Sequence, residues 1–155
     1  MRLLFRFFIV KNYIMPSLNN PVYKNDMKFG LTEEDKAKPI LEKKYGELTK
    51  LSKYAPFDFE NDEFLIEMKS RRIKHDTYNT LMINYSKIKK IVNDDKKVVF
   101  IFNCLDGYYY WDYNPENEFT IATGGRWDSG CNEWYEMAYI DIKFIHSLNN
   151  LPDYN

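Results

Sequence analysis

The sequence feature that most constrains the fold is a continuous apolar run at residues 97–103. Between Lys97 and Asn103, five consecutive residues are valine, phenylalanine or isoleucine. A strand covered on both faces has this composition, whereas a strand with one face in solvent alternates apolar and polar residues. Asp106-Gly107 then gives a strong hairpin-turn signal that leads into a second strand over residues 108–113. The run therefore predicts a buried strand inside a sheet.

Two segments show helical spacing. Thr32 is followed by three acidic residues, which is an N-cap signal, and the apolar spacing beyond it predicts a helix near residues 32–50. Pro39 lies inside this window and argues for a break or a late start, because an interior proline removes a hydrogen bond. A second helix is predicted over residues 77–93, from the spacing of Leu81, Tyr85, Ile88 and Val92.

Further strands are predicted before and after these segments. One covers residues 63–69 after a turn at Asn61-Asp62, and two more cover residues 119–123 and 138–144. Turns are predicted at Gly124-Gly125 and at residues 128–130, between the last two strands. The alternation of helices and strands indicates an α/β fold with a mixed central β-sheet flanked by helices.

The size and charge of the chain exclude several classes of protein. Its 155 residues fit one domain of ordinary size, and 45% hydrophobic residues are enough to fill a core. With 22 Lys and Arg against 23 Asp and Glu, the chain is no polycation, so any nucleic-acid contact must come from a local patch. Two cysteines without a CxxC spacing argue against a disulfide scaffold or a zinc ribbon, and a reducing compartment is expected.

The first residues need a separate interpretation. An apolar stretch at residues 3–10 is interrupted by Arg6, is too short to span a bilayer, and is followed by no small-residue cleavage pattern. We therefore expect neither secretion nor a membrane partner. Residues 1–28 are interpreted as an N-terminal extension whose first 14 residues are expected to be poorly docked, and residues 29–150 as a single domain.

The candidate site lies on the strand at residues 63–69. Strand alternation puts Glu67 and Lys69 on the same face, and Asp58 can converge with Glu67 at one end of the hairpin. Hard cations such as Mg²⁺ take oxygen ligands, commonly one or two carboxylates. A lysine beside such a pair can orient or help to deprotonate the attacking water and can neutralise charge on a phosphodiester. These residue types indicate metal-assisted hydrolysis.

Two short motifs carry a family resemblance. Pro56-Phe57-Asp58, followed by Glu67-Met68-Lys69 on an apolar strand, resembles the signature of the PD-(D/E)XK nuclease superfamily. Segments at residues 66–72, 76–80 and 84–88 are also similar to small uncharacterised nuclease-like proteins of viruses and phages. The resemblance covers about residues 30–145, with an extra residue between the proline and the aspartate as a departure. It implies a restriction-endonuclease-like core.

The resemblance implies a role for each motif residue. Asp58 and Glu67 become metal ligands, and Lys69 becomes the catalytic lysine that assists the attacking water. An acidic residue on the preceding helix often adds to such a site, and Glu34 is favoured for this role. The candidates considered are Glu33, Glu34 and Glu42. The implied cofactor is Mg²⁺ or Mn²⁺.

A basic segment follows the motif. Arg71 and Arg72 come directly after the strand, and arginine side chains can grip phosphate with two hydrogen bonds. The segment is therefore interpreted either as a rim that contacts the nucleic-acid backbone or as an ordinary solvated loop. The candidate nucleic-acid-binding residues are Arg71, Arg72, Lys74, Tyr78 and Lys87.

Two functions remain open from the sequence. The first is a metal-dependent endonuclease that hydrolyses phosphodiester bonds, with DNA favoured over RNA and a homodimer allowed. The second is a non-catalytic nucleic-acid- or protein-binding module on the same scaffold, such as a viral structural or host-interaction protein. For the second, Glu67 and Lys69 would be solvated charges with a cross-strand ion pair. The expected location is the cytoplasm or nucleus of the producing cell, or a virion.

Overall fold

The computed structural model describes residues 21–91, 95–116, 119–126 and 133–150. The helices within these residues are α1 (Pro21–Tyr45) and α2 (Tyr85–Lys89). The strands are β1 (Thr49–Lys50), β2 (Phe59–Glu60), β3 (Phe64–Ser70), β4 (Thr80–Asn84), β5 (Lys97–Cys104), β6 (Gly107–Asp112), β7 (Phe119–Arg126), β8 (Glu133–Asp141) and β9 (His146–Ser147). Short 3-10 helices cover Ile142–Phe144 and Leu148–Asn150.

A six-stranded mixed sheet forms the centre of the molecule. Its strand order is β1-β2-β3-β5-β6-β9, with β3 and β5 parallel and the other neighbours antiparallel. The strands predicted at residues 63–69, 97–103 and 108–113 are present as β3, β5 and β6 within about one residue at each end. The mixed α/β architecture predicted from the sequence is confirmed.

Strand β5 is buried on both faces, as its composition predicts. Phe100 and Phe102 pack into one apolar cluster, while Val99 and Ile101 pack into another on the opposite face of the sheet. All four side chains are almost fully buried. The parallel pairing of β3 with β5 places Glu67 opposite Phe100, and therefore carries a charged residue into the interior of the sheet.

The two faces of the central sheet are covered by different elements. Helix α1 covers one face, where Ala37, Leu41 and Tyr45 pack against the cluster that contains Val99 and Ile101. The other face is covered by a three-stranded antiparallel sheet in the order β4-β8-β7, together with α2. The site strand β3 therefore lies between a long helix and a second sheet.

Helix α1 begins earlier and ends earlier than predicted. Thr32 is not its N-cap; the Thr32 hydroxyl donates to the Lys28 carbonyl at 2.9 Å, as a threonine inside a helix does. Pro39 is accommodated inside the helix, with its side chain exposed. The helix ends before Gly46, whose φ of 81° and hydrogen bond to the Glu42 carbonyl are typical of a glycine C-cap.

Among the described residues of the helix predicted over 77–93, Tyr85–Lys89 are helical, and the first half is not. Residues 80–84 form β4, in which Leu81 and Ile83 are buried two residues apart and the strand pairs with β8. Asn84 then caps α2 by accepting a hydrogen bond from the Ser86 amide at 2.9 Å. The spacing of the apolar residues fits both the period of a helix, about 3.6 residues, and the period of a strand, about two residues. The pairing with β8 favours the strand.

The turn predicted at Gly124-Gly125 is also wrong, because both residues lie inside β7 and pair with β8. A Cβ atom at Gly124 would lie 2.7 Å from the Tyr139 hydroxyl and 2.9 Å from Cγ of Met137. The glycine is therefore required by close packing across the sheet and not by a turn. Strand β8 begins at Glu133 and ends at Asp141, so residues 142–144, predicted as strand, form a 3-10 turn.

Some predictions fall outside the described residues, namely the turn at residues 128–130 and most of the extension at residues 1–28. The domain boundaries stay a prediction. Among the described helices, none is both long enough and apolar enough to cross a membrane.

Candidate active site

Glu67 is the centre of the candidate site. Its side chain is 2% exposed. Among the residues that the structure describes, Glu67 is the one charged residue in the buried core. Strand alternation turns Glu67 and its neighbour Leu65 towards the second sheet and α2, while Ile66 and Met68 face α1. A carboxylate in this position loses its water and must find partners within the protein.

Two lysines provide those partners. Nζ of Lys87, on α2, lies 3.0 Å from Oε1 and 3.1 Å from Oε2 of Glu67, and it also donates to the Pro56 carbonyl at 2.8 Å. Nζ of Lys69 lies 3.8 Å from Oε1, and this lysine is more exposed, at 38%. Lys87 therefore makes the closer contacts with the Glu67 carboxylate, and Lys69 lies at the partly exposed rim.

Asp58 is held beside Glu67 by the backbone of the same strand. Its Oδ2 accepts a hydrogen bond from the Met68 amide at 2.8 Å, and its own amide donates to the Ile66 carbonyl at 3.0 Å. Its Oδ1 accepts no hydrogen bond from the described residues. The convergence of Asp58 and Glu67 expected from the sequence is present in the structure.

Burial and the neighbouring charge of Asp58 raise the pKa of Glu67 from 4.5 to about 7. The ammonium groups of Lys69 and Lys87 oppose this shift without cancelling it. The folded protein therefore holds a carboxyl group that is close to half-ionised at neutral pH. A cation bound to Glu67 would favour its ionised form.

A raised pKa makes the stability of the metal-free protein depend on pH. The contribution of Glu67 is fully present below its ordinary pKa of 4.5 and is lost as the pH rises to about 7, which amounts to about 3 kcal/mol. We expect Glu67→Gln to remove this part of the pH dependence, because glutamine cannot ionise. Urea unfolding of both proteins at pH 5 and pH 8 measures it, and parallel pH profiles would contradict the expectation.

Among the three acids considered on α1, Glu34 is the one directed towards this cluster. Burial and then the charge of Asp58 raise the pKa of Glu34, whose carboxylate also lies 3.4 Å from Nζ of Lys50. Glu33 instead contacts Lys36 and Asn103, and Glu42 contacts Lys38 and the Leu48 amide. This placement agrees with the preference for Glu34, whose catalytic role stays a prediction.

The basic segment is placed differently from the acids. The Arg71 guanidinium donates to the Met82 carbonyl, and the Arg72 guanidinium lies 4.6 Å from the centre of the Phe29 ring. Lys74 and Tyr78 are exposed, and their contacts with nucleic acid stay predictions. Lys87 is the member of this set that the structure brings to the acidic cluster.

The sequence did not indicate that Lys87 contacts Glu67, nor that Lys50 belongs to the site. The two residues of the Lys87–Glu67 pair lie 20 positions apart, and their meeting depends on β4 folding over β3. The N-cap signal of Asn84 was the available local clue, because it fixes where α2 begins and hence where Lys87 points.

A second cluster of potential metal ligands lies outside the predicted site. His75, Asp76 and Asp106 offer ligand atoms that all lie within 4.8 Å of one another. The His75 Nδ1 atom is 2.6 Å from Oδ2 of Asp106, and the His75 ring stacks on Tyr109 at 4.1 Å. These contacts fasten the segment after β3 to the β5–β6 hairpin. The cluster is therefore explained by its structural role.

The comparison with known proteins supports the resemblance carried by the motifs. Residues 21–148 match a family model described as "Phage putative PDDEXK endonuclease". The match includes every residue of the acidic cluster and both lysines that contact Glu67. No curated protein matches the chain.

Proposed function

The chain belongs to the phage PDDEXK endonuclease family, and from this premise we propose that it is a divalent-metal-dependent endonuclease acting on DNA. The observation that carries the proposal is the burial of Glu67 beside Asp58 and two lysines. Membership of a nuclease-like family implies a nucleic-acid substrate. The choice of DNA and the identity of the metal belong to the proposal.

The burial of Glu67 favours a functional site over a solvated strand face. An exposed cross-strand pair contributes little to stability and needs no burial. A carboxylate that is 2% exposed destabilises the fold when it ionises, as its raised pKa indicates. Clusters of ionisable groups with shifted pKa values are typical of functional sites, where the activity that they support offsets the loss of stability.

The donor set fits a hard divalent cation. Asp58 Oδ1 and the carboxylate of Glu67 would supply oxygen ligands, and Glu34 lies near enough to Asp58 to feel its charge. Such a set of oxygen donors suits Mg²⁺ or Mn²⁺. When bound, the cation supplies a Lewis acid that lowers the pKa of a water molecule and polarises a phosphodiester oxygen. The protein's own contribution is to hold these oxygens in place before the substrate arrives.

The lysines have distinct parts in this proposal. Lys69, half-exposed at the rim, can orient the attacking water and stabilise negative charge on the phosphodiester. Lys87 holds the Glu67 carboxylate through contacts to both oxygens and to the Pro56 carbonyl, which makes it a positioning residue. Lys50 pairs with both Glu34 and Asp35, so four carboxylates face three ammonium groups. A divalent cation then makes the site positive, which favours a phosphate group.

The test is cleavage of labelled duplex, single-stranded and branched DNA and of RNA with Mg²⁺ or Mn²⁺. We expect cleavage of DNA that requires the metal and falls by about 10²-fold or more in Lys69→Met, because a positioned acid–base group contributes that much. Lys97→Met is the matched control, since Lys97 begins the neighbouring strand β5. No metal-dependent cleavage of any substrate would favour the binding-module alternative.

A further inference from the structure

A cavity of about 370 Å³ lies at Arg71, the residue that directly follows the site strand β3. Its walls are mainly apolar and include Tyr78, Met82 and Tyr139. Met82 alternates with the buried Leu81 and Ile83 along β4, so its side chain points away from the core, and Tyr139 is its partner on β8. Tyr78 is 64% exposed, which leaves its ring accessible from solvent.

One charged side chain lines this cavity. The Arg71 guanidinium donates to the Met82 carbonyl, and none of the described carboxylates lies within ion-pair distance of it. Partly buried charges in proteins are usually paired, and a guanidinium offers several N–H donors. The cavity therefore combines apolar walls with a cation whose remaining donors have no anionic partner in the described part of the chain.

The position of Arg71 connects the cavity to the site. Arg71 follows Lys69 by two residues, and its amide donates to the Asn103 carbonyl at 2.7 Å, so it continues the line of β3 beyond Ser70. Two residues of strand span about 7 Å, which is close to the rise of two nucleotides measured along the axis of B-DNA, about 3.4 Å each. A phosphodiester at Lys69 would place a nearby nucleotide at this cavity.

We propose that this cavity binds a nucleobase of the substrate next to the scissile phosphate, and that guanine is the preferred base. An apolar and aromatic wall suits the face of a base, and an arginine fork suits the O6 and N7 acceptors of guanine. A phosphate alone would leave the apolar walls unused. The inference rests on the proposed function, because it assigns the substrate a place beside the same site.

The experiment uses nucleoside monophosphates as probes, since they bind without being cleaved. The metal-free, ¹⁵N-labelled full chain is titrated with GMP, AMP, CMP and TMP, and with ribose 5-phosphate as a ligand without a base. We expect GMP to shift amide resonances of residues 71, 78, 80–82 and 139, with an affinity several-fold above the other nucleotides. Ribose 5-phosphate should leave these resonances unchanged.

Variants at the exposed Tyr78 keep the test of base stacking independent of folding. Tyr78→Ala should weaken GMP binding by about tenfold, because base stacking on an aromatic ring is lost. Tyr78→Phe keeps the ring and should bind within about twofold of the wild type. Arg71→Lys keeps the positive charge but lacks the paired N–H groups of the guanidinium. This variant should therefore lose the preference for GMP.

The outcomes separate this inference from the proposed function. Equal shifts with ribose 5-phosphate, or GMP shifts that lie away from these residues, would overturn the nucleobase site. If the chain cleaves DNA and GMP does not shift the cavity resonances, the nucleobase site is wrong and the nuclease stands. If GMP shifts them and no nucleic acid is cleaved, the cavity binds guanine but is not a substrate subsite, and the nuclease proposal fails with that placement.

Discussion

Glu67→Gln is expected to lower metal-dependent cleavage by about 10³-fold or more. Glutamine keeps the size of the side chain but removes the charge that a divalent cation requires, and a bound metal supplies several kcal/mol of transition-state stabilisation. Glu67 is 2% exposed and contacts two lysines, so the substitution removes a charge from the interior of the site. Single-turnover cleavage with Mg²⁺ measures the loss.

Glu60→Gln is the matched control for this experiment. Glu60 lies on β2 of the same hairpin, but its carboxylate pairs with Lys96 at 3.2 Å and is 38% exposed. We expect cleavage by this variant to stay within about twofold of the wild type, because a partly exposed ion pair outside the site carries no chemistry. Equal losses in the two variants would show that the charge of the hairpin, and not the Glu67 site, supports activity.

Lys87→Met is expected to destabilise the metal-free protein by about 3 kcal/mol at pH 8.5 and by much less at pH 5. Removing one partner of a buried ion pair leaves a charge without compensation, which typically costs that amount. At pH 5 the Glu67 carboxyl is mostly protonated, because its pKa is raised to about 7, and little charge needs a partner. The loss should therefore appear only when Glu67 ionises.

Urea unfolding at the two pH values measures this effect. Lys89→Met is the control, because Lys89 lies on the same helix and pairs with Glu136 on the surface, where both side chains are more than half exposed. It should change stability little at either pH. The double variant Lys87→Met with Glu67→Gln should recover most of the loss. A pH-independent loss in Lys87→Met would mean that Lys87 acts only through packing.

The strands that build the site could be predicted because their patterns are local. The apolar run of β5 predicts a buried strand. The alternation of β3 puts Glu67 and Lys69 on one face of the sheet, whichever residues of the neighbouring strands they pair with. The local pattern of residues 80–84 is ambiguous, because Leu81 fits both a helix and a strand. The pairing of this segment with β8 shows that it is a strand. Gly124 likewise resembles a turn residue, and only the closeness of Tyr139 shows why it lies in a strand.

The chemistry of the site was less predictable than its position. The motif gives the sequence order of Asp58, Glu67 and Lys69, but the burial of Glu67 depends on the second sheet, which is formed by residues far along the chain. The contact of Lys87 with nucleic acid stays a prediction, whereas its contact with Glu67 was not predicted. The contact of Arg71 with nucleic acid also stays a prediction, whereas its hydrogen bond to a carbonyl of β4 was not predicted. Such contacts follow from tertiary packing, which no local pattern encodes.

The most direct test of the central proposal is to measure Mn²⁺ binding by electron paramagnetic resonance in the wild type and in three variants. The proposal predicts that Glu67→Gln and Asp58→Asn each abolish or strongly weaken binding, because both supply oxygen ligands to one cation. Asp106→Asn, which alters the separate cluster around His75, should leave binding unchanged. Binding that is lost in Asp106→Asn and kept in Glu67→Gln would contradict the proposal and move the metal to the other cluster.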